Sequence, residues 1–268
     1  MSTAAEDLET EPIVLREDRD DGITTLTLNR PDKYNALSED LLTAMQERIE
    51  ELKQDESVRV VILAANGKAF SAGHDLREMR SKHGQEYYNR LFRQCSGVML
   101  GLLSLPQPVI ARVHGMATAA GCQLVANCDL AVASTEAKLA VSGVNLGLFC
   151  STPGVALSRN VPRKRAFEML ITGEFIDAQT AADWGLVNRA VAPEDLDEEV
   201  MSLAANIAAK TPVAVRTGKR LFYEQIVKDL PEAYDHAAGV MACNMMEEDT
   251  VEGVDAFLEK RKPSWARQ

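Results

Sequence analysis

VHGMATAAGCQLVANCD, residues 113 to 129, is the stretch on which the fold turns. Upstream, Val109 to Val113 reads as a short strand, and downstream Leu130 to Ala133 as another. Between them the Ala- and Gly-rich segment predicts a helix near Gly121 to Asn127. A strand, a crossover helix and a second strand make a βαβ-like unit, not a meander.

The same order repeats toward the N-terminus. Ile23 to Leu28 alternates apolar residues with Thr, and Asn29-Arg30-Pro31-Asp32 breaks it. A helix follows, with Ser38 as its cap, Glu39 and Asp40 at its positive end, and Leu41, Met45, Ile49 and Leu52 at helical spacing. Val58 to Ala65 then reads as a fully buried strand stopped by Asn66-Gly67. Toward the C-terminus the character changes to helices at 163–172, 178–184, 196–209, 212–226, 231–246 and 250–260, with one short strand at 186–191. The reading is an α/β core over residues 21–195, a helical region over 196–268, and an acidic flexible tail over 1–20.

The chain has 268 residues with 29 Lys plus Arg against 40 Asp plus Glu, a formal net charge of −11. That balance argues against a nucleic-acid partner, because phosphate binding needs clustered basic residues, and the one dense run is Lys260-Arg261-Lys262. Leu139 to Ser158 lacks charge, yet its glycines and Pro153 make it a poor membrane helix, so no membrane partner is expected. Met1 to Asp21 carries eight acids and two arginines, the reverse of an export or transit signal, and a cytoplasmic protein is expected. Five cysteines without a C-x-x-C pair and four scattered histidines suggest neither disulfides nor a metal site. Dinucleotide, P-loop, G-x-S-x-G and H-E-x-x-H motifs are absent.

Two segments place small residues after buried strands: KAFSAGHDL (Lys68 to Leu76) and the opening stretch. Small side chains let a ligand approach the main chain, and a helix starting near Ala120 would aim free N–H groups at it, a geometry suited to a developing oxyanion. Tight turns with close helix packing explain the same residues equally well.

These residues resemble the enoyl-CoA hydratase/isomerase, or crotonase, superfamily. The likeness runs through LNRPDKYNALS (Leu28 to Ser38), FSAGHDL, HGMATAAGCQLVANCDL, NLGLFCSTPG (Asn145 to Gly154) and FLEKRKPSW (Phe257 to Trp265), in the family's order over nearly the whole chain. Within it, the ATAAGCQLVA and GVNLGLFCSTPGVAL segments are most similar to the group called enoyl-CoA hydratase domain-containing protein 3. The resemblance implies a spiral of ββα units, a helical C-terminal trimerisation region giving a homotrimer or dimer of trimers, and an acyl-CoA thioester as partner with no cofactor beyond its CoA moiety. Carried over by position, the two oxyanion N–H donors fall on His74 and Ala120. Ala36, Leu37, Ala72, Asp75 and Leu76 match the CoA and pantetheine path. Lys260 belongs to a basic segment that meets CoA phosphates from a neighbouring subunit, or is simply a solvated helix end.

The resemblance breaks at the two glutamates with which the family's hydratases activate water and protonate the α-carbon. Their positions hold Gln123 and Gly143, and an amide and a hydrogen can do neither. Gln123 is expected to position water. Cys150, Ser151 and His74, and more remotely Glu78 or His83, are the candidates for replacement chemistry. Three readings follow: an enolate-stabilising enzyme on fatty acyl- or enoyl-CoA that isomerises, decarboxylates or hydrolyses; a catalytically silent acyl-CoA-binding or regulatory protein; and a slow hydratase (lyase) that uses Gln123.

Overall fold

A computed structural model describes residues 11 to 267 of the chain. Strand β1 (Val14–Asp18) runs antiparallel to β2 (Ile23–Leu28), and Ser38 Oγ accepts from Leu41 N to open α1 (Glu39–Gln54). β3 (Val60–Ala65), β4 (Ala69–Ser71), α2 (Leu76–Ser81) and α3 (Gln85–Ser104) follow. Then come β5 (Val109–Val113), β6 (Met116–Thr118), α4 (Ala120–Asn127), β7 (Leu130–Ser134), β8 (Lys138–Ala140) and α5 (Ser151–Asn160). The rest is α6 (Arg163–Thr172), β9 (Ile176–Asp177), α7 (Ala178–Asp183), β10 (Arg189–Val191) and four helices, α8 (Leu196–Ala208), α9 (Pro212–Gln225), α10 (Leu230–Asn244) and α11 (Glu248–Leu258).

The strands sort into two sheets, β1-β2-β3-β5-β7-β10 and β4-β6-β8-β9. β3, β5 and β7 lie in the larger sheet, and each hands the chain to a three-residue strand of the smaller one before a helix returns it. That is the expected spiral of ββα turns. Both faces of the large sheet are covered at its centre, which is why β3 reads as an unbroken apolar run. In β3, Val61, Leu63 and Ala65 join the main core with Leu41, Met45, Ile49 and Leu52 of α1, whereas Val60 and Ile62 face Leu196, Val200 and Ala204 of α8. The first helix of the C-terminal region therefore belongs to the core.

Two expectations are corrected. Residues 1–10 of the acidic tail lie outside the described residues, but Val14–Asp18 is a strand: Val14 is buried against Leu28, and Arg16 pairs with Asp18, Glu51 and Asp55. The segment between Leu76 and Val109, for which the sequence predicted no element, holds the longest helix, α3. It buries Tyr87, Leu91, Cys95, Val98 and Leu102, one helical stripe.

A buried ion pair ties the helical region to the sheets. Lys219 Nζ on α9 donates to Asp129 Oδ2 (2.7 Å) and to the carbonyls of Leu102 and Gln107 (3.0 Å each), and Tyr223 OH donates to Asp129 Oδ1 (2.8 Å). Asp129 Oδ2 also accepts from Val109 N, so one carboxylate joins β5, α9 and the turn before β7.

Candidate active site

The site forms where β4, β6 and β8, parallel neighbours in the small sheet, end. Their exits are residues 72–75, 119–120 and 141–143, all at the carboxyl end, where α/β sheets open their crevices.

The first exit is held by LNRPDKYNALS. Asn35, fully buried, donates through Nδ2 to the carbonyls of Asn66 (2.8 Å) and Ala69 (2.9 Å), accepts from Arg30 N, and offers its own carbonyl to Ser71 Oγ. Arg30 reaches Ala36 O and Ser38 Oγ (2.8 Å each) and pairs with Asp75 at 3.5 Å. Leu37 then forms a parallel bridge with His74: Leu37 N donates to Gly73 O (2.8 Å), and Asp75 N donates to Leu37 O (3.2 Å). In a parallel bridge the bonds on this side use residues 73 and 75, so the N–H of His74 points to the other side. It has no hydrogen-bond partner among the described residues.

The second exit lies on that other side. Gly73 has φ +86°, and a β-carbon added there would sit 3.2 Å from Ala120 N and 3.0 Å from the Ala119 β-carbon, so only glycine lets the two loops touch. Ala119 has φ 52° and ψ −119°, a strained conformation for a residue with a side chain, of the kind that clusters at functional sites. This turn starts α4 at Ala120, whose N–H has no intrahelical acceptor because the first bond of the ladder runs from Gln123 N to Ala119 O. Two free backbone donors, on His74 and Ala120, thus stand beside each other.

Thr118 and Ser142 join the second exit to the third through a 2.9 Å hydroxyl contact. Gly143 N donates to Cys150 Sγ at 3.3 Å. A β-carbon at Gly143 would stand 2.5 Å from Leu148 O and 2.6 Å from Cys150 Sγ. The space in which a side chain would leave this position is filled by the chain's own backbone and thiol. Burial raises the Cys150 thiol above its ordinary value, against the opposing effect of the Gly143 N–H, which favours the protonated thiol over the thiolate.

Together the three exits open on a cavity of about 280 Å³. Ala72, His74, Leu76, Ala120 and Cys150 line it, as do Ser142, Gly143 and Ser151. Met79, Phe92, Leu146, Leu148, Phe149 and Pro153 belong to its apolar wall; these six were not named as site residues from the sequence, and Phe92 lies off the buried stripe of α3. No charged side chain lines the cavity among the described residues. Other residues named from the sequence stand outside the lining. Ala36 and Leu37 are buried beneath it, and Asp75 caps α2 by accepting from Arg77 N and Glu78 N (3.2 Å each). Gln123 is one helical turn beyond Ala120, buried, with Oε1 unpartnered, but it does not line the cavity. Glu78 and His83 are engaged elsewhere, Glu78 with Lys82 and Glu39 N, and His83 with Tyr88. Lys260 follows the end of α11 with φ 57°, outside the lining, and its neighbour Arg261 is held by Glu252 and Glu259.

The His74 ring closes one side of the cavity. Its Nδ1 lies 3.3 Å from Leu37 O, and its face meets the Phe92 ring at 5.4 Å and 64°. Burial lowers its basicity below the ordinary histidine value, and the Leu37 hydrogen bond and Glu78 oppose that only in part.

Among the described residues no helix is long and apolar enough to cross a membrane, and no group of three or more histidines, cysteines or carboxylates could hold a metal ion.

Comparison with known proteins agrees with this architecture. Residues 18–268 match the family model described as enoyl-CoA hydratase/isomerase. Rat enoyl-CoA hydratase domain-containing protein 3, mitochondrial, is 45% identical over 258 residues, covering 96% of this chain and 86% of the relative. A crystal structure described as enoyl-CoA hydratase from Mycobacterium smegmatis superposes with a TM-score of 0.94 at 60% identity, covering 95% of this chain and 99% of that one. The crystal structure of human enoyl coenzyme A hydratase domain-containing protein 3 gives 0.92 at 46% identity, covering 95% and 100%. The expected likeness to that group is borne out; the cytoplasmic expectation is not supported, since the rat relative is named mitochondrial. The match spans almost the entire chain in both sequence and structure, and the chain belongs to the enoyl-CoA hydratase/isomerase family.

Proposed function

We propose that the chain binds a fatty acyl- or enoyl-CoA thioester, with the thioester oxygen between the N–H groups of His74 and Ala120 and the acyl chain in the apolar cavity. The observation that carries this reading is the close packing of Gly73 on the 119–120 turn, where an added β-carbon would sit 3.2 Å from Ala120 N, beside a cavity that His74 and Ala120 both line and that no charged side chain lines among the described residues. A pair of backbone donors stabilises the enolate oxygen that forms when a proton leaves the carbon next to the thioester. The uncharged wall suits hydrocarbon and disfavours acyl groups that end in a carboxylate, whose burial unpaired is costly. Standard hydration is disfavoured as well, because among the described residues no carboxylate borders the cavity to activate water or protonate carbon.

His74→Pro tests the reading. It removes one donor that carries no structural hydrogen bond, and it is expected to weaken acyl-CoA binding severalfold, about 1 kcal/mol, and to slow any enolate-dependent conversion about 10²- to 10³-fold. Calorimetric titration and mass spectrometry of the same samples measure both; binding and turnover indifferent to the substitution would contradict it. A catalytically silent acyl-CoA-binding protein is the second reading, favoured by the lack of a carboxylate at the cavity among the described residues, and it predicts tight binding with no product.

The reading includes self-association. Helices α9, α10 and α11 each bury one residue, Lys219, Ala233 and Ala256, while Phe257 and Met246 are 81% exposed and Ile226, Val227, Leu230 and Met241 are more than half exposed. Helices with so large an uncovered apolar face need a partner, and a second and third copy of the chain would supply it. Met246→Glu combined with Phe257→Glu is expected to convert the assembly to monomers, read as mass by light scattering; a wild-type protein that is already monomeric at micromolar concentration would contradict this.

A further inference from the structure

Building on the thioester reading, we infer that α2 is a movable wall of the acyl cavity, latched in place through Glu78, and that release of this latch sets how long an acyl chain the site admits.

The walls of the cavity differ in how they are held. Ala120, Gly143, Cys150 and Pro153 are buried in the packed interior, which leaves them no room to give. Leu146, Leu148 and Phe149 are exposed, but their loop is stitched by its own backbone: Gly147 N donates to Val144 O and Leu148 N to Gly143 O (3.0 Å each), and Ser151 N donates to Phe149 O (2.8 Å). Helix α2 supplies Leu76 and Met79 to the wall and buries no residue. Leu76 is 53% exposed, and Met79 is only partly buried where it packs against the main core.

What else fastens α2 is polar and centres on one side chain. Glu78 Oε2 accepts from Glu39 N at the start of α1 (3.0 Å), and Oε1 lies 3.0 Å from Lys82 Nζ. The same ammonium meets Glu39 Oε2 at 2.5 Å and lies 5.7 Å from the centre of the Tyr87 ring. From α3, Tyr88 OH donates to Met79 O at 3.1 Å. The Lys82 side chain is half exposed, so water competes for these partners and the pairs hold weakly. A short helix without buried side chains, fastened by exposed polar contacts, is of the kind that opens first.

The size of the cavity gives that opening a use. Its volume of about 280 Å³ is just below the about 300 to 1,000 Å³ of pockets that enclose a drug-sized ligand. A short acyl chain fits the closed form, and a long one needs a wall to yield. Asp75 stays fixed at the base of α2, its N–H on Leu37 O and its carboxylate beside Arg30. Swinging about that point, α2 would carry Leu76 and Met79 outward and leave the N–H groups of His74 and Ala120 where they are. Glu78, which does not line the cavity, is thus a positioning residue that acts on the acyl chain through α2.

The test compares butanoyl-CoA with dodecanoyl-CoA at micromolar concentration, by calorimetric titration and by hydrogen–deuterium exchange of residues 76–84. In the wild type, dodecanoyl-CoA is expected to speed exchange over 76–84 relative to butanoyl-CoA, because it holds α2 open. Glu78→Ala should speed the same exchange without ligand and raise the ratio of dodecanoyl to butanoyl affinity about three- to tenfold, the worth of one hydrogen bond. Butanoyl-CoA affinity and melting temperature should not change, which separates a latch from a general role in stability. Glu78→Gln, which keeps an acceptor for Glu39 N, should fall between. An affinity ratio that Glu78→Ala leaves unchanged overturns the inference, as does dodecanoyl-CoA that slows exchange over 76–84 as much as butanoyl-CoA does; either result leaves the thioester reading standing. Failure of both thioesters to bind overturns the thioester reading and the inference with it.

Discussion

Crotonyl-CoA given to the wild-type protein is expected to be hydrated at least about 10⁴-fold more slowly than by a relative that carries both family glutamates, since each positioned acid or base is worth roughly 10²- to 10⁴-fold. The chain has Gln123 and Gly143 at those positions. Putting the acids back is not expected to rescue the rate. A side chain at Gly143 would place its first carbon 2.5 Å from Leu148 O and 2.6 Å from Cys150 Sγ, and the nearer obstacle is backbone that cannot rotate away. Gly143→Glu should therefore lower stability by about 1 to 3 kcal/mol, the range for overpacking, and leave hydration undetected even when combined with Gln123→Glu. Loss of the enoyl absorbance follows the reaction, and urea denaturation follows stability. Wild-type hydration within tenfold of a glutamate-bearing relative would mean that another acid and base do the work. A stable Gly143→Glu protein would mean that the loop over 144–150 gives way more easily than its contacts indicate.

The second large effect concerns the fold beneath the site. Lys219→Met is expected to destabilise the protein by about 3 to 5 kcal/mol, because breaking one half of a buried pair leaves the other charge without its counter-ion. The Lys219 side chain is 6% exposed and that of Asp129 13%, so water cannot replace the ammonium, and the carbonyls of Leu102 and Gln107 lose their donor as well. Burial in fact lowers the basicity of Lys219, more than the attraction of Asp129 restores it. The pair is thus held at a desolvation cost, and what it contributes is the register of α9 against β5 and the turn before β7. Urea denaturation of the single variant, and of Lys219→Met with Asp129→Asn, measures this. The double variant should recover part of the loss, and a single-variant effect below about 1 kcal/mol would show the network to be incidental.

Much of the architecture was legible because buried strands announce themselves. Val60–Ala65 is an uninterrupted apolar run, and Val109–Val113 and Leu130–Ser134 are apolar apart from Arg112 and Ser134, since both sheet faces are covered. The small sheet was not legible: AFS, MAT and KLA are three residues each, too short to show a period, and they become strands only when β4, β6 and β8 lie side by side. Helix α5 lay hidden because Pro153 and Gly154 argue against a helix, although proline is tolerated in the first turn, where its missing N–H has no acceptor. Strand β1 was masked by the charge of Arg16, Glu17 and Asp18, which face other charges at a sheet edge. At the site, the positions of His74 and Ala120 came from glycine-rich motifs that exist to bring main chain close to a ligand. The apolar wall did not, because Met79, Phe92 and Leu148 come from three separate elements. Nor could a sequence show that the room beside Gly143 is occupied by a residue seven positions later.

We propose that the pair of backbone donors and the apolar cavity together form a thioester site. Calorimetric titration of the wild-type protein with octanoyl-CoA and with free CoA addresses it most directly. Burial of several methylenes at about 0.8 kcal/mol each predicts that octanoyl-CoA binds at least about 100-fold more tightly than CoA, and His74→Pro should erode that preference. Equal affinity for the two, unchanged by His74→Pro, would contradict the account.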